Sequence, residues 1–426
     1  MSRFSFLHLA DLHLDSPLRG LEADADAPAA QLRLATRAAF RNAVDFALEE
    51  RVALVLIAGD LFDGDWPDWR SGAFLTAQLA RLTQAGIRVI GIRGNHDAES
   101  VITRKLVLPE GAVLLRADRP ETVDLPEIGV AVHGQSFATR EVLTDLSATY
   151  PAPLPGRCNI GLLHTAATGR DGHANYAPCS VGALAAHGYD YWALGHVHER
   201  EVLSEAPWIV FPGNPQGRHA KETGPKGGTL VTVEEGRVRS VRPRVFDVVR
   251  WAHPRVDLSG AADEEAAWDA VRAAIAVAAR EAEGRLLALR LTLSGATPCH
   301  EALCRDPGAT RDQVRTQAIA AMGTDTVWLE ALRLETRPAL DRAGLLADPG
   351  ALGVLVRSIE AADGAALGEA MRAYAAALLN RNPGARLREA LGPEHPAVRA
   401  AAGEVSPAFL EQARELLLAR LAEASE

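Results

Sequence analysis

Along the first 245 residues, short apolar runs alternate with longer amphipathic stretches, and most of the runs stop at a polar cluster. Phe4 to Ala10 stops at Asp11, Ala53 to Ala58 at Gly59-Asp60, and Ile87 to Ile92 just before Gly94-Asn95-His96-Asp97. Their length and Val/Ile/Leu content predict buried strands. Between them, Gln31 to Glu50 repeats Leu32, Ala35, Ala39, Ala43, Phe46 and Ala47 near helical spacing, and Trp69 to Gln84 predicts a second helix. Strand, helix, strand, helix means α/β with parallel strands. Further strands are predicted at Val130 to His133, Asn159 to His164, Asp190 to Leu194 and Trp208 to Phe211. A hairpin from Gly228 to Val241, turning at Glu234-Glu235-Gly236, closes this first unit.

The texture changes near residue 246. Phe246 to Leu258 and Leu286 to Leu293 predict strands flanking a helix from Asp263 to about Glu283, and Thr326 to Glu335 predicts another strand. From Pro338 the chain is Ala- and Leu-rich and helical, interrupted at Pro349-Gly350, Asn382-Pro383-Gly384 and Gly392-Pro393. A last helix starts with Ser406 as N-cap and Pro407 in its first position. It carries a stripe of Phe409, Leu410, Ala413, Leu416, Leu417 and Leu421. Three parts are expected: 1–245, a small α/β module over 246–337, and a helical region over 338–426.

Composition narrows the class. With 48% hydrophobic and 23% charged residues, fibrous, collagenous and wholly disordered classes are excluded. The start reaches charged residues within a few positions, and no later segment approaches the length of a membrane span, so the cytoplasm is expected and no membrane partner. Cys158, Cys179, Cys299 and Cys304 form no CxxC pair and are read as small buried hydrophobes. A formal net charge of -10 argues against a generic polyanion binder. Bound divalent cations or a local Arg cluster can still make one face positive.

The chemistry lies in the polar clusters: Asp11-Leu-His13, Gly59-Asp60-Leu-Phe-Asp63, Gly94-Asn95-His96-Asp97, Gly195-His196-Val-His198, and His164 in "GLLHTA". Each sits just past the carboxyl end of a predicted strand, where open α/β sheets bind ligands. Carboxylates, imidazoles and one amide on one rim match the mixed O/N ligands of a divalent transition metal, leaving manganese, iron or zinc and excluding a thiolate site. That many polar groups packed together without a cation would be costly to desolvate. Arg218, in "PQGRH", is a phosphate-contact candidate because its guanidinium can grip phosphate bidentately, and Lys221 and Lys226 would extend a basic lip. Asp97 reads as a loop or cap residue, His8 as a satisfied core histidine and His133 as packing; His173 and His219 fall in loops near the rim.

In this order the blocks D-x-H, G-D-x-x-D, G-N-H-[DE], H and G-H-x-H resemble the calcineurin-like metallophosphoesterase superfamily. "ADLHLDSPLRGL", "YDYWALGHVHEREVL" and "FPGNPQGRHAKETGPKGG" are similar to the SbcD-type DNA-repair exonucleases, and closest to their bacterial YhaO-like branch. The resemblance is specific up to about residue 245 and looser beyond. It implies a metallophosphoesterase α/β sandwich, a small α/β capping module and a helical C-terminal region. It also implies two divalent metal ions, manganese first, with iron or zinc as alternatives. One ion would take Asp11, His13, Asp60 and His198, the other Asp60, Asn95, His164 and His196, with Asp60 as the bridge. "GHVH" would then be a fork serving both ions. His96 would be the catalytic histidine that protonates the leaving oxygen, oriented by Asp63.

The function so implied is a two-metal DNA nuclease cutting from 3′ ends. The alternative on the same site is a small-molecule or phosphoprotein phosphoesterase, and a third reading is a non-catalytic scaffold, against which the intact Asn95-His96 and His196/His198 speak. Implied partners are DNA, an SMC-like coiled-coil ATPase docked on the distal helices, and a second copy of the chain.

Overall fold

The computed structural model describes residues 3–16, 28–63, 69–98, 100, 106–167, 176–339, 342–361, 363–379 and 396–407, with isolated positions at 388 and after 407. The chain divides into two compact units, one of residues 1–253 with 278–290 and 319–330, the other of 254–277, 291–318 and 331–426.

Two six-stranded sheets face each other in the first unit. The first contains β1 (Phe4–Leu9), β2 (Leu54–Ala58), β3 (Arg88–Ile92), β4 (Ala112–Leu114), β11 (Gly227–Glu234) and β12 (Arg237–Val245), in the order β12-β11-β1-β2-β3-β4. The second contains β5 (Glu121–Leu125), β6 (Val130–Gly134), β7 (Cys158–His164), β8 (Tyr191–Gly195), β9 (Glu201–Glu205) and β10 (Trp208–Phe211), in the order β5-β6-β7-β8-β10-β9. The inner strands β1, β2 and β3 pair in parallel, as do β6, β7 and β8.

Side chains two apart on a strand share a face, and the core follows that period. Phe6, Leu54, Leu56, Ile90 and Ile92 from one sheet meet Val132, Ile160, Leu162, Tyr191 and Val210 from the other. The alternate residues Leu7, Leu9, Val55, Ile57 and Val89 pack under α1 (Ala29–Glu49) and α2 (Trp69–Gln84) with Phe40, Val44, Leu75 and Leu79. On the far side of the second sheet, Trp192, Leu194, Ile209 and Phe211 pack with Leu184 of α3 (Val181–Ala186). Strands covered on both faces need apolar residues at consecutive positions, which is why they read as runs. Each such Leu or Ile is worth about 1.5–3 kcal/mol of burial.

The expected strand over Phe246 to Leu258 is instead two strands. β13 (Val249–Ala252) pairs with Leu286–Leu289 at the start of β15 (Leu286–Thr297), in the first unit. β14 (Arg255–Asp257) pairs with Thr292–Ser294 of β15, in the second. His253-Pro254 separates them, and Pro has no N–H to give the ladder. α4 (Glu264–Glu281) matches the predicted helix, and β16 (Val327–Pro338) the last predicted strand. Two helices that the periodicity does not announce, α5 (His300–Arg305) and α6 (Pro307–Met322), lie between β15 and β16. The second unit continues with α7 (Arg342–Ala347), α8 (Ala351–Glu360), α9 (Gly364–Leu379) and α10 (Pro396–Ala401). Ser406 accepts from the Phe409 amide at 3.2 Å, as an N-cap does, while Ala413, Leu416 and Leu421 of the apolar stripe after it lie outside the described residues. No described helix is long and apolar enough to cross a membrane.

Candidate metal centre

The loops that leave β1 and β2 are zipped together. Asp11 N donates to Gly59 O (3.0 Å), His13 N to Asp60 O (3.0 Å) and Leu14 N to Leu61 O (2.9 Å). The register holds Asp11, His13 and Asp60 at φ of 53°, 40° and 53°, and His196 adopts φ 99°. Left-handed backbone at non-glycine residues is uncommon and collects at functional sites. Asp97 explains part of the rigidity: its buried carboxylate accepts from Leu61 N (2.9 Å), Phe62 N (3.0 Å) and Gly94 N (3.2 Å), joining the loops after β2 and β3. Burial, then the neighbouring Asp60 charge, pushes the Asp97 carboxyl up to about 7.

Two glycines are dictated by close approach. A Cβ on Gly94 would lie 2.2 Å from Asp60 Oδ1 and 2.8 Å from the His164 ring, and one on Gly195 would lie 1.9 Å from Ala58 O. Both glycines therefore make room, Gly94 for the Asp60 carboxylate and Gly195 for the Ala58 carbonyl that His164 binds.

Backbone amides aim the carboxylates. His96 N donates to Asp60 Oδ1 at 3.0 Å, and His196 N to the Asp11 carboxylate at 2.9 Å. Asp60 Oδ2 then stands between two imidazoles, 3.8 Å from His13 Nε2 and 3.5 Å from His164 Nε2. Asp11, His13 and His198 form one cluster with a ligand atom each within 4.8 Å of the others; Asp60, His164 and His196 form a second. His13, Asp60 and His96 form a third grouping, so the clusters share Asp60 and His13.

The donor set fits cations. His164 Nδ1 is 2.9 Å from Ala58 O, an acceptor, so Nδ1 carries the proton and Nε2 is a lone pair, yet Nε2 lies 2.9 Å from Asn95 Oδ1. His198 Nδ1 is 2.6 Å from the Glu222 carboxylate, so the neutral ring would turn an Nε2 lone pair toward His13 Nε2, 3.2 Å away. Burial pushes His13 and His164 down to about 3, so both are neutral, the form that can ligate a metal. The Asp11 carboxyl is held well above its ordinary value by burial and then by Asp60, the condition that a cation reverses. Asp11, His13, Asp60, Asn95, His164, His196 and His198 are thus the residues that could hold metal, without a thiolate.

His96 stands beside this set. Its Nδ1 is 2.9 Å from Asp63 Oδ1, and Asp63 Oδ2 accepts from Ser16 Oγ at 2.7 Å. Burial of His96 opposes its charge, but the Asp63 hydrogen bond and the Asp60 charge outweigh it and raise the pKa. Arg218 reaches the same corner, with Nη1 3.3 Å from Ser16 Oγ and 3.5 Å from Asp63 Oδ2.

Other histidines do as their surroundings dictate. His8 binds Tyr191 Oη (3.0 Å) and Leu194 O (3.1 Å), and His133 binds Thr122 Oγ1 (2.9 Å) and Asn159 Oδ1 (3.0 Å). His173 lies outside the described residues. His219 is exposed, 3.4 Å from Glu222. The basic lip is only half formed: Lys221 is exposed, whereas Lys226 is buried and donates to His198 O at 3.2 Å. Glu222, not singled out from the sequence, is buried under His198; its signal was only its place in "GRHAKETG".

Residues 4–200 match the calcineurin-like phosphoesterase family, and 251–337 match the middle domain of metallophosphoesterase YhaO. The uncharacterized metallophosphoesterase YhaO of Bacillus subtilis is 35% identical over 317 residues, covering 74% of this chain and 76% of that protein. The DNA double-strand break repair protein Mre11 of Methanopyrus kandleri is 25% identical over 49% of this chain and 48% of its own length. A component of the nuclease SbcCD of Rhodobacter capsulatus is 31% identical over 30% of this chain and 26% of its own. The chain therefore spans about half or less of these last two proteins. With D-x-H, G-D-x-x-D, G-N-H-D and G-H-x-H at its strand ends and most of YhaO matched along its length, the chain belongs to the calcineurin-like metallophosphoesterases, in their YhaO-like branch, and is a hydrolase of phosphoester bonds.

Proposed function

We propose that the chain is a two-metal DNA nuclease, hydrolysing phosphodiesters from 3′ ends, with manganese as the metal. The observation that supports the site is the close approach of His13 Nε2 to His198 Nε2 and of His164 Nε2 to Asn95 Oδ1, the atoms that would turn to a cation at each position. The nuclease reading rests on the names of the Mre11 and SbcCD relatives, which match 49% and 30% of the chain.

Asp11, His13, Asp60 and His198 would hold one ion, and Asp60, Asn95, His164 and His196 the other. Bound divalent ions supply Lewis acidity toward phosphate oxygens and attacking water. His96 then gives its proton to the departing sugar oxygen, and Asp63, 2.9 Å from its Nδ1, keeps the ring turned so that Nε2 faces the scissile bond. Arg218 neutralises phosphate beside them. Residues 246–337 would cap the site. The distal helices would bind an SMC-like ATPase, in the cytoplasm, on a chain that can pair with a second copy.

The test is digestion of linear single- and double-stranded DNA by the purified full chain with Mn2+, beside a chromogenic phosphodiester and a phosphomonoester. Cleavage of the small esters with no cleavage of DNA under any divalent metal would replace the nuclease with a small-molecule or phosphoprotein phosphoesterase on the same residues.

A further inference from the structure

We propose that Glu222 is a positioning residue of the metal centre: it fixes which nitrogen of His198 faces the ion, and so sets the affinity of that one position. The inference rests on the metallophosphoesterase reading of the site.

Glu222 is 8% exposed, on the loop after β10, and donors surround its carboxylate. Oε1 is 2.6 Å from His198 Nδ1, while Oε2 accepts from Arg218 N at 2.7 Å and from Asn214 Nδ2 at 3.0 Å. The loop is shaped to bring it there, because a Cβ on Gly217 would lie 2.7 Å from Glu222 O. A carboxylate can accept on both oxygens. A glutamine cannot: one side of its amide is a donor and would face either the His198 proton or the two donors at Oε2. Only a carboxylate here satisfies the His198, Arg218 and Asn214 donors together.

With its one proton held on Nδ1, a neutral His198 presents its Nε2 lone pair toward His13 Nε2, 3.2 Å away. A carboxylate on the far nitrogen of a ligating histidine fixes its tautomer and raises its basicity, and losing such a partner costs about 10–100-fold in metal affinity. The other cluster is held differently, since His164 Nδ1 faces the backbone carbonyl of Ala58. The two metal positions should thus differ in their dependence on Glu222. The same carboxylate also anchors Arg218, whose guanidinium reaches Asp63, so it joins the His198 ligand to the corner that holds His96.

The experiment is titration calorimetry of the metal-free full chain with Mn2+, wild type against Glu222→Gln. Two ions on the wild type, with one weakened by about 10–100-fold in the variant and the other unchanged, is the expected result. Its catalytic signature is a raised Mn2+ requirement, with turnover recovered at saturating metal. Unchanged binding in a folded variant overturns the proposal, as does equal weakening of both ions. A wild type that binds no metal removes the proposal together with the reading of the site, a failure visible before any variant is made. If Glu222→Gln does not fold, 15N NMR of the metal-free wild type decides. His198, assigned by its absence in His198→Gln, must carry its proton on Nδ1, and a proton on Nε2 overturns the assignment.

Discussion

His13 and His198 aim their Nε2 atoms at each other across 3.2 Å, though they come from the ends of different sheets. His13 is kept neutral by burial, which pushes it down to about 3, and His198 turns its other nitrogen, Nδ1, to the Glu222 carboxylate at 2.6 Å. A divalent cation between them would take a lone pair from each ring. Divalent metal should therefore raise the melting temperature, by the equivalent of about 2.7 kcal/mol at a free concentration 100 times the Kd. His198→Ala should lose the ion shared with Asp11 and His13, and His196→Ala the one shared with Asp60 and His164. Metal stoichiometry of the two variants checks this, and loss of the same ion from both would mean a single site.

The His96 and Asp63 pair should separate by leaving group. Removing a general acid costs about 10²–10⁴-fold in rate, and the need for a proton grows with the basicity of the departing oxygen. His96→Asn should therefore slow a diester with a basic alkoxide leaving group far more than it slows a nitrophenyl diester, with metal content unchanged. Asp63→Asn, which leaves the imidazole in place without its 2.9 Å carboxylate, should act in the same direction by a smaller factor. Equal losses on both substrates would show that His96 acts before the bond breaks.

Most of this site is legible as sequence because it sits where strands end. Asp11, Asp60, Asn95, His164 and His196 each follow a run of buried residues, so pattern alone collects them on one rim. The chain's silence about Glu222 has a physical source: its partner His198 lies on another loop, and nothing periodic marks a loop residue. Strands β5 and β9 hide for a different reason. They are the two edges of the second sheet and carry Glu121, Asp124, Glu201 and Glu205, the charges that keep edges from pairing further. Helix α6 buries Thr310, Val314 and Ala318, an i, i+4, i+8 stripe in which only valine is strongly apolar.

Gly94→Ala tests how tightly the rim is built. The new Cβ would sit 2.2 Å from Asp60 Oδ1, with the buried His164 ring 2.8 Å away. Asp60 must move, and it is the carboxylate between both clusters. Overpacking of this kind costs about 1–3 kcal/mol. The larger effect should be weaker binding of both ions, read by calorimetry on a variant whose circular dichroism is unchanged. A variant that binds metal normally would mean that Asp60 is not shared.

His8 predicts the acid limit of the fold without involving the metals. It lies between the two sheets, fully buried, bonded to Tyr191 Oη and Leu194 O, and burial pushes it down to about 3. In the unfolded chain it titrates near its ordinary 6.5. Below that value the unfolded state binds a proton that the folded state refuses, so stability falls with pH at up to about 1.4 kcal/mol per unit. The loss from this residue is complete only when the pH reaches the folded value. Between pH 7.5 and 5 it amounts to about 2 kcal/mol. His8→Asn removes the titration, at a cost in packing that does not depend on pH. Urea unfolding of both metal-free proteins at the two pH values should therefore show the wild type losing about 2 kcal/mol more than the variant. Parallel losses would mean that His8 takes a proton inside the folded sandwich.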